Sequence, residues 1–140
     1  MPSLYKLDIV TPDKQFFKEE VEMLIVRTTE GDIGVLHDHE PLVAPVSIGM
    51  IRIKKDGVFK SAACAGGFIS VDETGATIIT DSAEWASDID IDRAKSAKER
   101  AEDRLNEVSK ETDVLRAKVS LNRAVNRMHV ADNHMSHDNL

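Results

Sequence analysis

From Leu4 to about Thr80, apolar residues come in short runs. Several alternate with polar residues and are rich in β-branched side chains, and turn formers separate them. A period of two over four to eight residues marks strands that bury one face. The runs predict strands at 5–10, 22–29, 42–46, 50–54, 58–64, 68–71 and 76–80. Asp56-Gly57 stands between two of them and predicts a tight hairpin, because both residues tolerate the positive φ that such a turn needs. Residues 72–75 predict another turn. Many short strands at this spacing predict a sandwich or flattened barrel with covered or closed edges.

After Ser82 the period becomes helical. Asp88 or Asp90 is placed to cap a first helix, with carboxylates beside the positive end of its dipole. Ile91, Ala94, Ala97 or Lys98, Ala101, Leu105 and Val108 form a narrow apolar stripe. Residues 109–113 are a polar break. Val114, Ala117, Leu121, Val125 and Met128 then continue at steps of three and four, toward an end near Val130. Two such stripes facing each other predict an antiparallel hairpin. The stripes are alanine-rich, so they bury little surface against the backbone entropy lost on ordering. The expectation is a weakly docked element that exchanges between states; the alternative is a permanently packed cap.

Composition narrows the class. A chain of 140 residues makes one domain plus an appendage, and 41% hydrophobic residues with 4% aromatics give a core of Val, Ile, Leu and Ala. No run is long enough to cross a bilayer. The first ten residues lack the basic, apolar and small-residue order of a secretory signal, which favours a cytosolic compartment. Cys64 is the only cysteine and sits in an apolar run, the setting of a buried structural thiol. A net charge of -7 argues against nucleic-acid binding. Residues 88–132 hold ten acids and ten bases, so the first part carries the deficit, and residues 117–131 contain Lys118, Arg123 and Arg127 with no acid.

The candidate chemistry lies in the arginines. Arg93, Arg100 and Arg104 fall at i, i+7 and i+11, as do Arg116, Arg123 and Arg127, so each set lies along one helix face. Folded together, up to six guanidinium groups converge on an anion; otherwise they are solvated or pair with Asp92, Glu99 and Glu102. No Gly-x-x-x-x-Gly-Lys phosphate loop is present, so hydrolysis of a nucleotide is not expected. Ser82 with Glu84 makes a poor nucleophile and base, which weighs against a small hydrolase. His37 and His39, with Asp38 and Glu40, read as a solvated turn rather than a metal site. His129, His134 and His137 lie in or near a polar tail, read as disordered over 133–140. Trp85 stands at the junction of the halves as a wedge or core residue.

Several strings in order carry a resemblance: Thr11-Pro12-Asp13, Glu20-Val21-Glu22, Glu30-Gly31-Asp32-Ile33-Gly34-Val35-Leu36, His39-Glu40-Pro41-Leu42-Val43, Gly66-Gly67-Phe68 and Ile89 to Ala94. Over nearly its whole length the chain resembles the epsilon subunit family of the bacterial F-type, rotary proton-translocating ATP synthase. The resemblance implies an α+β chain: a ten-stranded β-sandwich over 1–86, then a regulatory two-helix hairpin over 87–132. It implies a non-catalytic central-stalk subunit, peripheral on the cytoplasmic face of the cell membrane. The implied partners are the gamma subunit, the rotor ring of c subunits, and the alpha and beta subunits when the helices extend and hinder ATP hydrolysis. Asp32 and His39 match the ring-facing loop, although His37-Asp38 replaces the family's Pro-Gly before His39. Ile89-Asp90-Ile91-Asp92-Arg93-Ala94 matches an Ile/Leu-Asp-x-x-Arg-Ala motif of members that bind ATP. Glu84, Ile89, Asp90, Arg93, Ala94, Arg100, Arg123 and Arg127 are the implied ATP contacts. Glu84 and Asp90 either accept hydrogen bonds from adenine or ribose or hold Arg93. No cofactor is required. ATP is implied as a regulatory ligand that favours the folded hairpin; the alternative is a stalk subunit with a fixed hairpin and no ATP sensing.

Overall fold

A computed structural model describes residues 3–107 and 111–138. The chain divides into two compact units, Met1–Trp85 and Ala86–Leu140.

The first unit is a β-sandwich of eight strands: β1 (Tyr5–Val10), β2 (Gln15–Val21), β3 (Met23–Thr28), β4 (Gly31–Leu36), β5 (Leu42–Lys55), β6 (Val58–Asp72), β7 (Gly75–Ile79) and β8 (Ala83–Trp85). Hydrogen bonding runs in the order β2-β1-β7-β6-β5-β3-β4, with β8 paired to β6. Among the described residues only the β1–β7 pair is parallel. The ten strands expected from the resemblance are corrected to eight among the described residues. Four expected strands are two, because β5 runs unbroken through 47–49 and β6 through 65–67. These long strands serve both layers. The last part of β6 pairs with β7 while its first part pairs with β8, and the chain bends between them at Gly66 and Gly67, with φ of 88° and 119°. β2, β4 and β8 were not expected as strands; β2 and β4 form the two ends of the ladder.

Alternation puts Leu7, Ile9, Leu24, Val26, Ile51, Ile53, Ile69 and Ile78 between the layers, all essentially inaccessible. Cys64 is buried with them as expected. Its Sγ lies 3.0 Å from the Thr80 hydroxyl, and burial pushes the thiol pKa up. Asp56 and Gly57 form the anticipated hairpin with φ of 53° and 77°. Asp72 Oδ1 accepts bonds from the Thr74 hydroxyl and from the Thr74 and Gly75 amides, closing the second predicted turn.

Tyr5 on β1 donates from its hydroxyl to the Val35 carbonyl on β4 at 2.7 Å, joining strands that are not neighbours in the ladder. Tyr5→Phe leaves that buried carbonyl without its donor, and should lower the unfolding free energy by about 1 kcal/mol. Burial raises the phenol pKa above its ordinary 10.0. A raised phenol pKa means the folded state favours the neutral form, so its contribution is complete below pH 10 and declines as pH rises through the window above it. Urea melts across this window should show a falling stability in the native chain that Tyr5→Phe lacks.

The second unit contains a short 3-10 turn (Ala86–Asp88), α1 (Ile91–Glu107) and α2 (Glu111–Asp138). α1 and α2 pack along each other, as the hairpin reading requires. α2 continues through Asp138, beyond the end expected near Val130, so the tail expected to be disordered over 133–140 is helical as far as Asp138. Residues 139 and 140 lie outside the described residues, as do Val108 and the first two residues of the expected break, 109 and 110; the other three, 111–113, begin α2. No described helix is long and apolar enough to cross a membrane.

Candidate functional site

Within the Ile89 to Ala94 string, local folding accounts for four of the six residues. Asp90 Oδ1 accepts the Arg93 amide at 3.1 Å and the Asp90 carbonyl accepts the Ala94 amide at 3.0 Å, making Asp90 the N-cap of α1. Ile91 is then the first helical residue. Ile89 and Ala94 are buried, at 8% and 0% exposure. Asp90 Oδ1 is thus engaged in the cap through the Arg93 backbone amide. Asp90→Ala should destabilise the hairpin by about 1 kcal/mol, with Asp90→Ser recovering most of that loss; circular dichroism melts of the full chain read the difference.

The helix interface is lined by alanine at intervals of seven: Ala94 and Ala101 on α1, Ala117, Ala124 and Ala131 on α2, none more than 3% exposed. These residues fix the orientation of everything else on the two helices. Arg93 and Arg100 each precede a seam alanine by one residue, and Arg104 follows Ala101 by three; Arg116, Arg123 and Arg127 bear the same relations to Ala117 and Ala124. At 100° per residue all three positions flank the seam on one side. In an antiparallel pair the side preceding the seam residue is the same face for both helices. The hairpin therefore gathers six arginines on one face. Arg93, Arg100, Arg104, Arg116 and Arg123 are exposed and Arg127 is half-buried. Ile91, Leu105, Val114, Leu121 and Met128 lie on the opposite side of the seam and are half-buried. The ion pair of Lys98 with Glu102, at 3.8 Å, also lies off the arginine face.

Glu84 belongs to the sandwich unit, on β8 opposite Ala63. Its neighbour Trp85 lies tilted against Phe16, centroids 4.6 Å apart, and meets Phe17 edge to face at 5.8 Å, with Lys60 Nζ over the ring at 4.0 Å, so it is the core aromatic that the sequence allowed.

Asp32 and His39 are separated by β4. Asp32 sits near its start, bound to Arg27 Nε at 3.0 Å, a bond that lowers the carboxyl pKa and raises that of the guanidinium. His39 lies past its end, with Nδ1 2.7 Å from the Glu40 carbonyl oxygen. A six-residue strand spans roughly 20 Å. A partner touching both residues must lie along this edge strand. Asp38, at φ 66°, takes the left-handed position that glycine would fill, and the His39 amide bonds to the Leu36 carbonyl at 3.2 Å, so the turn forms despite the exchange of Pro-Gly for His37-Asp38. Among the described residues no three His, Cys, Asp or Glu side chains are grouped to hold a metal.

Sequence reasoning missed an apolar row on the outer face of the sandwich. Pro45, Phe68 and Ile79 are cross-strand partners on β5, β6 and β7, with Val43 two residues along β5. Val43, Phe68 and Ile79 are 72%, 59% and 61% exposed, which is unusual for aligned large apolar side chains on a soluble face. Its signal was available: residues 42–46 and 78–79 are apolar at both parities, where a half-exposed strand alternates.

The chain matches two family profiles end to end: "ATP synthase, Delta/Epsilon chain, beta-sandwich domain" over residues 4–86 and "ATP synthase, Delta/Epsilon chain, long alpha-helix domain" over residues 87–132. It is 50% identical over 128 residues to the ATP synthase epsilon chain of Bacillus velezensis, covering 91% of this chain and 97% of that one. It is 54% identical over 106 residues to that of Alkaliphilus oremlandii, covering 76% and 79%. Among solved structures, a chain of the Euglena gracilis mitochondrial ATP synthase, in an OSCP/F1/c-ring assembly, superposes with a TM-score of 0.77 at 26% identity, covering 89% of this chain and 79% of that chain. A chain of the Tetrahymena thermophila central stalk and c-ring, at TM-score 0.65 and 12% identity over 93% and 98% of the two chains, shares the fold.

Proposed function

This chain belongs to the epsilon chain family of ATP synthase, and from that premise we propose that its sandwich seats it on the rotor while its hairpin senses ATP and restrains ATP hydrolysis. As an epsilon chain it is a non-catalytic subunit of an F-type ATP synthase, serving ATP synthesis and hydrogen ion transport through the complex. The finer assignments are our reading. The gamma subunit packs on the row of Val43, Pro45, Phe68 and Ile79, since an aligned apolar face of this kind gains from being covered. The c ring runs along the edge strand β4, meeting Asp32 and His39. Residues 1–86 are thus the stalk-binding part and 87–132 the regulatory part. On this reading the chain lies peripherally on the cytoplasmic face of a bacterial membrane, as part of the complex.

The arginine face carries the regulatory reading. A triphosphate requires several cations, and guanidinium groups supply charge with forked donors in one plane. ATP held by Arg93, Arg100, Arg123 and Arg127 bridges both helices, and so favours the closed hairpin. Each seam alanine contributes only one methyl, on the order of 0.8 kcal/mol, so a ligand with differential affinity of a few kcal/mol shifts the balance. With ATP depleted, the helices part and extend toward the alpha and beta subunits, where they hinder hydrolysis.

Calorimetric titration of ATP into the full chain tests the sensor. Saturable heat at or below millimolar nucleotide is expected, and its absence leaves a stalk subunit with a fixed hairpin. The seat on gamma is tested separately by Phe68→Glu. The exposed side chain can change without disturbing the core, so the chain should fold normally and cease to copurify with gamma; retained copurification would remove the apolar row from the interface.

A further inference from the structure

We propose that Arg104 and Arg116 extend the arginine face into a second phosphoryl-binding position, so that the hairpin holds linear phosphate chains longer than a triphosphate. The inference rests on the reading of that face as a phosphate site and goes beyond the four arginines assigned to ATP. Arg104 and Arg116 have the same angular relation to the alanine seam as those four. They are exposed, and among the described residues neither forms an ion pair or side-chain hydrogen bond.

Length makes the two residues a continuation of the site rather than a duplicate. Arg93 and Arg104 are eleven residues apart, about 16 Å along the helix axis at about 1.5 Å per residue, and the Arg116 to Arg127 separation is the same. In the antiparallel pair Arg104 and Arg116 lie together at the end toward residues 108–110, and Arg93 and Arg127 at the other end. Three linked phosphorus atoms do not reach from one end to the other, so a nucleotide held at the Arg93 end leaves the Arg104 end vacant for further phosphates. Glu107 and Asp113 are exposed near that end and oppose an incoming polyanion, so any gain there must come from direct guanidinium bonds to phosphate rather than from diffuse attraction. The ligand class is a linear polyphosphate, free or as the tail of a nucleoside polyphosphate.

The test is calorimetry on the full chain with three probes: ATP, tripolyphosphate, and polyphosphate of about ten units. The long chain should bind at least tenfold more tightly than tripolyphosphate. The double variant R104Q/R116Q should remove that gain while leaving ATP affinity within twofold. Equal affinity for the long and short chains would overturn the proposal, as would equal loss of ATP and polyphosphate binding in the variant. Poly-aspartate of matched charge binding as tightly as polyphosphate would overturn it too, by showing a general anionic surface. Failure of ATP and tripolyphosphate alike would instead remove the underlying phosphate site, which separates the two failures.

Discussion

Gly67→Ala is expected to cost the sandwich about 4 kcal/mol or more, at the extreme of single substitutions, and to leave the chain largely unfolded or aggregated at 37 °C. Gly67 has φ +119°, and a Cβ there would be driven against the Ile79 carbonyl oxygen, with the carbonyl carbon 2.8 Å and Thr80 Cα 2.9 Å away. All three obstacles are backbone. They are held by the β6–β7 ladder and by the Thr80 amide bonded to the Val10 carbonyl at 3.0 Å, so nothing can swing aside. Gly57→Ala is the internal control: Gly57 also has positive φ, 77°, but a Cβ there meets nothing within 4 Å. Only the left-handed penalty of about 1 to 2 kcal/mol applies. Urea denaturation of both variants measures the contrast. Similar stabilities would show that the bend at Gly67 relaxes and that β6 does not need its present path.

Arg93→Ala and Arg127→Ala should each reduce ATP affinity about ten- to hundredfold, the equivalent of losing one hydrogen bond to a charged group. The pair together should abolish measurable binding. Arg93 contributes only its backbone amide to the cap, which alanine keeps, and its side chain lies outside the alanine seam. The hairpin should therefore melt within a few degrees of the native chain in the absence of nucleotide, and only the shift produced by ATP should disappear. Native affinity in both variants would dissociate nucleotide binding from the arginine face.

The legible parts of the sequence were those where one physical signal dominated. Alternation located the core strands, the change of period after Ser82 located the helices, and Asp56-Gly57 fixed a turn. The edge strands were not legible because edges need no alternation. Three consecutive residues of β2, Lys18 to Glu20, are exposed, and β8 spans only three residues. Continuity of β5 and β6 was hidden because residues 47–49 and 65–67 look like interruptions, whereas the glycines there, Gly49, Gly66 and Gly67, let a paired strand bend without ending. At the candidate site, arginine periodicity was readable in advance. The commitment of Asp90 to a cap and of Ile89 and Ala94 to the interior was not, because a motif string does not distinguish residues that build a helix start from residues that touch a ligand. The outer apolar row was overlooked because apolar residues on a strand were read as core by default.

The seven-residue interval of the seam has a consequence for its alignment. Both the small residues and the cations recur with that interval, and α2 has 28 residues against 17 for α1. Sliding α2 by one heptad would set Ala131 where Ala124 was and Arg123 where Arg116 was, reproducing nearly the same contacts. The alanines alone do not choose between these alignments; Val130 does, since it is fully buried and the slide would put His137 in its place. A change of this one position to alanine would loosen the choice, and each slip would act as a vernier, displacing the far end of the long helix by about 10 Å per heptad.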